Sequence, residues 1–401
     1  MNSSFSEKVY ILGRKVKAFI YGIPFSICRI FPIDKNKIVL WTVEGQGGYG
    51  CSPKYIAEEL LKQSRENKSD YRLYWILTDT TKEFPKEIIK VKDSVWNRAY
   101  HMTTARFWIG NTRTFYGTRK RKGTTYIQTW HGSLSLKPIG KYRGENFSKM
   151  AYLVSKADSD LIDILISGSD YCTKMWRDGL FYDGRIEQLG IPRCDVLINE
   201  VDKKHKQFRE EYNLPKDCKI VIYAPTFRGG SQGTFRSINE NVSSIDFDRV
   251  IDAFEKRFGG TWYVFLRLHP QLLKYTDKMA VNTKSDRLID VTVRPDMNEI
   301  MAATDAIITD YSTVIFEGFL TGQPGFIYAD DLEEYVRDRG NMMFELNEIP
   351  FSIATNNDEL INNILKFDDH EYRSKSESFI KQNGIMHDGK AVEKTIRLLN
   401  I

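Results

Sequence analysis

The sequence predicts an α/β protein with two Rossmann-like domains, each a parallel sheet wrapped by helices, which face one another across a cleft. Its 401 residues are too many for a single ordinary hydrophobic core, because a domain has about 150 residues, so two or three domains are expected. Short apolar segments typical of strands alternate with amphipathic helical segments, the pattern of parallel sheets. A second series of such units begins after Gly190-Ile191-Pro192, which places a domain boundary there.

The first 36 residues form a separate amphipathic segment, in which lysines and arginines interrupt the apolar residues 9–31. Its longest uncharged run, residues 18–28, is shorter than the roughly 20 residues that a membrane-spanning helix needs. It also lacks the cleavage site of a signal peptide. Two interpretations remain: a helix buried against the first domain, or an interfacial helix with its apolar face in the membrane and its cations at the headgroups.

The first domain is predicted to span residues 37–189. Its expected strands are residues 38–43, 72–78, 107–110, 125–129 and 165–167, with a helix at residues 53–62 after the first of them.

The second domain is predicted to span residues 190–368, followed by C-terminal helices in residues 369–401. Its expected strands are residues 219–223, 262–268, 290–293, 306–309 and 325–328. Its expected helices are residues 245–258, 297–303 and 312–320, and the polar residues 231–244 are expected to form a loop.

Composition excludes several functional classes. The net charge is only +5, with 58 basic residues interspersed among 53 acidic ones, so we expect no nucleic-acid partner. Five scattered cysteines without a Cys-x-x-Cys pair argue against a disulfide framework or a zinc site. No carboxylate cluster requires a metal, and we expect no cofactor.

Ligands of open parallel sheets bind beyond the carboxyl ends of the strands, so residues directly after strands are candidate site residues. His131 follows the strand at 125–129, and Gly132 beside it allows a substrate to approach closely. The alternative is a histidine that only satisfies a backbone carbonyl in a turn.

Arg267 and His269 end the strand at 262–268. Strand alternation places both side chains on one side, where a cation and an imidazole suit an anionic group such as a phosphate. The alternative is a solvated arginine and a histidine that caps a turn.

The segment from Asp310 to Thr313 lies between a strand and a helix. Ser312 and Thr313 are expected at the helix N-terminus, where free backbone N–H groups bind anions, although an ordinary N-cap has the same sequence. Glu317, about two turns further on, either reaches ribose hydroxyls or is a solvated carboxylate.

Thr226 and Arg228 follow the first strand of the second domain and are candidates for phosphate contacts. Together with the other strand-end residues they complete the set expected on the donor side.

These segments, in this order, resemble the CDP-glycerol glycerophosphotransferase family, which makes teichoic-acid-type polymers. The similarity extends from about residue 38 to the C-terminal helices. The matching segments are Thr129-Trp130-His131-Gly132 with Lys137 and Gly140, residues 190–197, Tyr223-Ala224-Pro225-Thr226, Arg267-Leu268-His269-Pro270, residues 309–313, Gln323-Pro324, residues 328–335 and Arg339-Gly340.

The resemblance implies a GT-B arrangement that binds the nucleotide in the C-terminal domain. It implies transfer of glycerol phosphate from CDP-glycerol, or of ribitol phosphate from CDP-ribitol, to a lipid-linked polyol-phosphate acceptor, with release of CMP. Members act at the cytoplasmic face of the membrane, which favours the interfacial interpretation of residues 9–31.

The same resemblance assigns roles to individual residues. His131 would be the general base on the acceptor hydroxyl, with Gly132 and Lys137 on the acceptor side. His269 with Arg267 would stabilise the pyrophosphate and the departing CMP. The helix start at Ser312 and Thr313 would hold a phosphate.

Two departures from the family pattern leave the polyol and the acceptor open. Ser133-Leu134 stands where the family often has Thr-Pro, and Ile349-Pro350-Phe351 where it often has Pro-Gly-Pro. A glycosyltransferase that uses a nucleotide sugar, and a catalytically silent protein that binds lipid-linked polymer, are the alternative functions.

Overall fold

The computed structural model describes residues 5–43, 47–66, 68, 70–226, 244–268, 285–339, 342–345 and 347–400. The chain divides into two compact units. Unit 1 comprises Met1–His131, Ile139–Asp195 and Met386–Ile401, and unit 2 comprises Gly132–Pro138 and Val196–Ile385. The units therefore interleave along the chain, whereas the domains predicted above are consecutive segments.

The described strands form one parallel sheet in each unit, which confirms the predicted α/β class with two parallel sheets. The strands of unit 1 are β1 Asp34–Trp41, β2 Arg72–Leu77, β3 Ile89–Lys92, β4 Ala105–Gly110, β5 Thr125–Gln128, β6 Ile164–Ser167 and β7 Arg185–Gln188. The strands of unit 2 are β8 Lys219–Ala224, β9 Trp262–Leu266, β10 Leu288–Asp290, β11 Ala306–Thr309, β12 Gly325–Tyr328 and β13 Ser352–Ala354.

Helices accompany both sheets. They are α1 Phe5–Ile27, α2 Cys51–Arg65, α3 Val95–Thr103, α4 Lys149–Ser159, α5 Asp170–Gly179, α6 Val196–Asn199, α7 Val201–Glu211, α8 Phe247–Phe258, α9 Met297–Ala302, α10 Val314–Glu317, α11 Leu332–Arg339, α12 Asn357–Leu365, α13 Asp369–Gln382 and α14 Ala391–Arg397. Several begin at a side-chain cap: the oxygens of Ser94, Ser148 and Ser169 accept the N–H three residues on.

The first six strands of each unit follow the same order, and the sheet of unit 1 has β7 as an additional edge strand. In unit 1 the order is β3-β2-β1-β4-β5-β6-β7, and in unit 2 it is β10-β9-β8-β11-β12-β13. In each sheet the chain winds outward from its first strand and then returns to pair on that strand's other side. The order therefore reverses between β1 and β4 and between β8 and β11. Crevices at such reversal points, beyond the carboxyl ends of the strands, are where open α/β sheets bind ligands.

The sheets are held by apolar side chains that face the helices. In unit 1 the fully buried residues include Leu40, Trp75 and Ile109, and in unit 2 they include Val221 and Phe326. Each large apolar side chain buried in this way stabilises its unit by about 1.5–3 kcal/mol. These cores fix the strand ends from which the candidate site residues extend.

Some element bounds differ from the predicted ones. Helix α10 has only four residues, and a 3-10 turn, Gly318–Leu320, completes the helix expected at residues 312–320. β9 ends at Leu266, and β10 ends at Asp290, because Thr292 turns the chain. Its N–H donates to the Asp290 carboxylate, and its hydroxyl accepts from the Leu268 N–H. Most of the predicted loop at 231–244 lies outside the described residues.

The N-terminal segment forms the long helix α1, which packs one face on unit 1. Ile11, Ala18 and Phe25 are buried, and Arg119 donates hydrogen bonds to the Ser26 hydroxyl and the Phe19 carbonyl. Among the described residues, none of the helices combines the length and the hydropathy required to span a bilayer.

Candidate active site

The first part of the site lies at the carboxyl edge of the unit 1 sheet. Asn111 directly follows β4, and His131 comes three residues after the end of β5. The Asn111 side-chain oxygen accepts a hydrogen bond from the N–H of Val43, which follows β1 (3.0 Å). The ends of β1, β4 and β5 are therefore tied together around His131, next to the reversal between β1 and β4.

The His131 ring is held in a defined orientation. Its Nδ1 lies 2.7 Å from the Asn111 carbonyl oxygen. Because a carbonyl can only accept a hydrogen bond, Nδ1 carries the hydrogen and Nε2 keeps a lone pair. The ring also stacks on the Trp130 indole, with centroids 5.0 Å apart and planes 29° apart. The second nitrogen is thus prepared to accept a proton.

Trp130 adopts a backbone conformation that is costly for a residue with a side chain. Its φ is 56°, in the left-handed region. The side chain of Gln128 accepts the Trp130 N–H at 3.0 Å, and Gln128 in turn donates to the Thr112 carbonyl at 3.0 Å. The strained turn after β5 is therefore stabilised by the loop after β4, and it sets the position of His131.

The surroundings of His131 favour its neutral form. The side chain is exposed on one side, while protein atoms crowd the other. This burial lowers the pKa of His131 to about 4; the hydrogen bond with Asn111 raises it, and the charges of Arg193 and Arg113 lower it further. At neutral pH the imidazole is uncharged, as a general base must be.

The charges of two arginines act on this histidine, and the sequence predicted a role for neither of them. The Arg113 guanidinium lies over the Trp130 ring, 5.5 Å from its centroid. Arg193 is only 5% exposed, and its Nη1 lies 3.5 Å from Sγ of Cys51, the first residue of α2. The position of Arg113 just beyond β4 was a usable signal, whereas Arg193 approaches from the distant segment after β7.

The second part of the site lies at the carboxyl edge of the unit 2 sheet. Thr226 comes two residues after β8, and Asp310 directly follows β11, so they flank the reversal point of that sheet. Both Asp310 carboxylate oxygens accept the Thr226 N–H at 2.9 Å, and one accepts the Thr226 hydroxyl at 3.0 Å. Asp310 also accepts the N–H of Tyr311. The structure thus brings together these two predicted residues, with Asp310 as the group that fixes Thr226.

The three other predicted residues around α10, which are Ser312, Thr313 and Glu317, differ in their exposure to solvent. Ser312 and Thr313 are partly exposed in the turn before α10, and Thr313 occupies its N-cap position. Glu317 is buried, and its carboxylate accepts a hydrogen bond from the Asn298 side chain at 2.7 Å. Ser312 and Thr313 are therefore accessible to a ligand, whereas Glu317 is engaged inside unit 2.

Arg267 lies one residue beyond β9 and is buried. Its Nη1 donates to the carbonyl oxygens of Thr292, at 2.6 Å, and Leu268, at 3.0 Å. Burial lowers its pKa to about 10, so it stays charged at neutral pH. Its Nε is buried with no hydrogen-bond partner among the described residues. The other two predicted residues of this group, Arg228 and His269, lie outside the described residues.

Gly132 and Lys137 lie in the short segment Gly132–Pro138, which is part of unit 2. Lys137 Nζ lies 5.9 Å from the centroid of the Tyr335 ring, which stacks on Tyr311 with centroids 3.7 Å apart. The Tyr311 hydroxyl donates to Asp331 at 2.9 Å. The structure therefore places Lys137 beside an aromatic pair whose first member directly follows Asp310.

The described residues contain no group of three or more His, Cys, Asp or Glu side chains that could hold a metal ion. All five cysteines are among the described residues, and none of them forms a disulfide.

Known proteins similar to this chain share its sequence pattern over nearly its full length. The model of the family described as CDP-Glycerol:Poly(glycerophosphate) glycerophosphotransferase matches residues 23–400. A teichoic acid glycerol-phosphate transferase of Staphylococcus aureus is 30% identical over 383 residues, which cover 90% of this chain and 92% of that protein. A teichoic acid poly(glycerol phosphate) polymerase of Staphylococcus epidermidis is 29% identical, over 89% of this chain and 49% of the polymerase.

A teichoic acid poly(ribitol-phosphate) polymerase of Bacillus spizizenii is 27% identical, over 96% of this chain and 59% of that protein. The chain thus spans about half the length of the first two polymerases.

A solved structure shows the same fold. A variant of the wall teichoic acid polymerase TagF matches with a TM-score of 0.78 and 26% identity, over 99% of this chain and 98% of that one. A TagF variant soaked with CDPG matches equally well. With the family model covering most of the sequence and both parallel sheets in place, this chain belongs to the CDP-glycerol:poly(glycerophosphate) glycerophosphotransferase family.

Proposed function

We propose that this chain transfers glycerol phosphate from CDP-glycerol to a hydroxyl group of a lipid-linked acceptor and releases CMP. The observation that carries the proposal is the neutral His131, with Nε2 available, in a chain that belongs to this family. The glycerol phosphate transferase among the relatives and the CDPG-soaked TagF variant support this donor.

In the proposed reaction, Nε2 of His131 removes the proton of the acceptor hydroxyl. The acceptor oxygen bonds to the phosphorus that carries glycerol, and the bond from that phosphorus to the bridging pyrophosphate oxygen breaks. CMP leaves with the electron pair. Such a transfer depends mainly on positioning and on charge stabilisation, because the phosphoryl group needs little covalent assistance.

Unit 2 is proposed to bind the donor. Thr226, Ser312 and Thr313 would contact its phosphates, since they lie at or near the reversal point of the sheet and are not fully buried. Asp310 and Glu317 would act by holding this loop and helix in place, because their carboxylates accept internal hydrogen bonds. Arg267 is proposed to supply positive charge beside them.

The predicted roles of Arg228 and His269, as a phosphate contact and as a group that stabilises the departing CMP, remain part of this proposal. Gly132 and Lys137 are proposed to line the acceptor side.

A lipid-linked acceptor requires the enzyme to work at a membrane, and we propose that α1 docks on the cytoplasmic surface as a peripheral interfacial helix. Support comes from its outward face, where large apolar side chains are exposed: Phe5, Val9, Leu12, Val16, Phe19, Ile20, Ile23 and Ile27. Lys8, Lys15 and Lys17 are exposed on the same helix and would meet anionic headgroups.

Ribitol phosphate transfer from CDP-ribitol is the second candidate function. It is favoured by the match to a poly(ribitol-phosphate) polymerase over nearly the whole chain. The two candidates share the same site chemistry and differ only in the polyol.

The experiment that tests the proposal measures CMP release from CDP-glycerol and from CDP-ribitol, with a glycerophosphate-primed lipid acceptor. His131→Ala should lower the acceptor-dependent rate by about 100- to 10,000-fold, the usual contribution of a general base. His370→Ala, at an exposed histidine on α13, should leave it unchanged. Folded wild-type protein that releases CMP from neither donor would contradict the proposal, and UDP- and GDP-sugars would then be tested.

A further inference from the structure

We propose that the residues Gly132–Pro138, called the connecting segment below, transmit donor binding in unit 2 to the imidazole of His131. The base is then aligned for proton removal only while the donor is bound. This inference rests on the proposed function and adds a regulation of the same site. The residues of the connecting segment act as positioning residues for His131.

The chain passes from unit 1 to unit 2 directly after His131. Unit 1 runs to His131 and resumes at Ile139, and the residues between them belong to unit 2. The residue bonded to the base is therefore part of the unit that is proposed to bind the donor. Because consecutive Cα atoms lie about 3.8 Å apart, a displacement of the connecting segment has to be taken up next to His131.

The connecting segment is firmly held. Leu134 is 1% exposed and Leu136 is 0% exposed. The Leu136 carbonyl accepts the N–H of Met343, a residue of unit 2, at 2.8 Å. The Ser135 hydroxyl donates to the Lys137 carbonyl at 2.7 Å and restrains the backbone between them. A segment with buried side chains and paired backbone groups moves together with the structure around it.

A series of contacts inside unit 2 begins at the connecting segment. Lys137 Nζ lies 5.9 Å from the centroid of the Tyr335 ring, which stacks on Tyr311 with centroids 3.7 Å apart. The Tyr311 N–H donates to Asp310, whose carboxylate also accepts the Thr226 N–H at 2.9 Å. These contacts thus reach the loops at the reversal point of the unit 2 sheet, where the donor phosphates are proposed to bind.

Donor binding acts on this series at Tyr311. Ser312 and Thr313, which are proposed to contact the donor phosphates, directly follow Tyr311 in the chain. A phosphate held there restricts the backbone of Tyr311 and, through the stacked rings, the position of Lys137. An occupied donor site is therefore connected to the segment that carries the base.

The other end of the connecting segment meets a strained turn. The ring of His131 stacks on Trp130, whose φ is 56°. A residue in this region of φ keeps its conformation only where the surrounding structure imposes it, and such residues are frequent at switch sites. A shift of Gly132 therefore acts on a turn that is already strained, and the ring of His131 moves with it.

Tyr335→Leu tests the coupling, because it removes the ring between Lys137 and Tyr311. It should lower kcat for transfer from CDP-glycerol by about 10- to 100-fold, as expected when a base is misplaced by about 1 Å, while the KM for CDP-glycerol changes less than about threefold. Tyr335→Phe is the matched control, since it keeps the stacked ring and should retain the wild-type kcat. An equal kcat for the two variants would overturn the inference.

The same change in a chain without the base separates positioning from a general loss of structure. In the His131→Ala background, Tyr335→Leu should lower the remaining rate by less than about threefold, because no imidazole is left to misplace. A larger loss would mean that Tyr335 acts on another group. That outcome would overturn the inference and leave the proposed function standing.

A second pair of variants acts on the connecting segment itself. Leu136→Ala removes a buried side chain and should lower kcat as Tyr335→Leu does, again only while His131 is present. Leu136→Met nearly conserves the volume and should keep the wild-type rate. Wild-type kcat in folded Leu136→Ala would contradict a positioning role for the connecting segment.

A binding measurement decides the inference even if neither polyol phosphate is transferred. CMP should shift the His131 ring resonance in the NMR spectra of the wild type and of Tyr335→Phe. Tyr335→Leu should bind CMP within about threefold of the wild-type affinity but show no shift. An unshifted resonance in the wild type, or an equal shift in Tyr335→Leu, would overturn the inference. The expected shifts without any transfer would reject only the proposed reaction.

Discussion

The Asn111 carbonyl oxygen accepts a hydrogen bond from Nδ1 of His131 at 2.7 Å. The same asparagine uses its side chain to accept the Val43 N–H, so one residue joins the loops after β1, β4 and β5. A backbone carbonyl fixes the tautomer of an imidazole without adding a negative charge next to it. The pKa of His131 is lowered chiefly by burial; the Asn111 hydrogen bond raises it, and the charges of Arg193 and Arg113 lower it further.

We predict that the imidazole of His131 stays neutral down to a pH near 4 in the absence of ligands. Burial, reinforced by the charges of Arg193 and Arg113, lowers its pKa from the ordinary 6.5 to about 4. An NMR titration of the ring resonance, assigned with His131→Asn, measures this directly. A titration midpoint at or above pH 6.5 would show that burial and the arginine charges do not lower the pKa of His131.

The same shift predicts how stability depends on pH. Between pH 4 and 6.5 the unfolded chain binds a proton at His131 that the folded chain does not. The contribution of His131 to the free energy of unfolding is therefore fully present above pH 6.5. It is lost as the pH falls toward 4. Relative to His131→Asn, the wild type should melt at progressively lower temperature over this window, and a constant difference would contradict the shift.

Strand-end reasoning located much of the candidate site from the sequence. Thr226, Asp310 and His131 each follow a short apolar segment that proved to be a strand, so the topology rule placed them at the sheet edges. The contact of Asn111 with His131 was not predicted, because it is made by the backbone carbonyl, which every residue possesses. Arg193 lies in the segment 190–197 that resembles the family, but no role was predicted for it because its influence on His131 depends on tertiary folding rather than on local periodicity.

The bounds of α10 were mispredicted for a related reason. The apolar pattern at residues 312–320 fits a helix, but Gly318 begins a tighter 3-10 turn after Glu317. A Cβ at Gly318 would lie 2.7 Å from Cδ1 of Ile307 in β11. The turn therefore packs closely on β11, and periodicity alone does not contain that tertiary contact.

We predict that Asp310→Asn weakens donor binding by loosening Thr226. Asp310 is 1% exposed and accepts hydrogen bonds from the Thr226 and Tyr311 N–H groups. An amide offers one oxygen in place of two and turns its NH₂ group toward these donors, which costs about 2 kcal/mol of unfolding free energy. Thermal unfolding should detect a loss of several degrees, and the KM for CDP-glycerol should rise severalfold.

Asp252→Asn provides the comparison for that variant, since Asp252 is exposed on α8 in the same unit. It should change neither the melting temperature nor the KM. Unaltered stability and donor KM in Asp310→Asn would mean that the carboxylate is not what holds the loop after β8.

We predict that replacing apolar residues on the outward face of α1 abolishes membrane binding. Phe19 is 65% exposed and Leu12 is 63% exposed, although both are large apolar side chains. Each would contribute about 1.5–3 kcal/mol when buried in the acyl boundary, so Leu12→Gln with Phe19→Gln should weaken vesicle binding by about 100-fold or more. Sedimentation with vesicles of equal phosphatidylglycerol and phosphatidylcholine measures the effect.

Further variants in the same vesicle assay test whether the lysines of α1 contribute to binding. They also test whether the outward face of α1 contacts lipid or a second copy of the chain. Lys15→Gln with Lys17→Gln should weaken binding to the anionic vesicles but not to pure phosphatidylcholine, because the attraction acts on anionic headgroups. Val293→Gln, at an exposed apolar residue of unit 2, should leave binding unchanged. A lipid-free dimer that dissociates on changing Leu12 and Phe19, with vesicle binding unaffected, would instead identify this face of α1 as a contact between two copies of the chain.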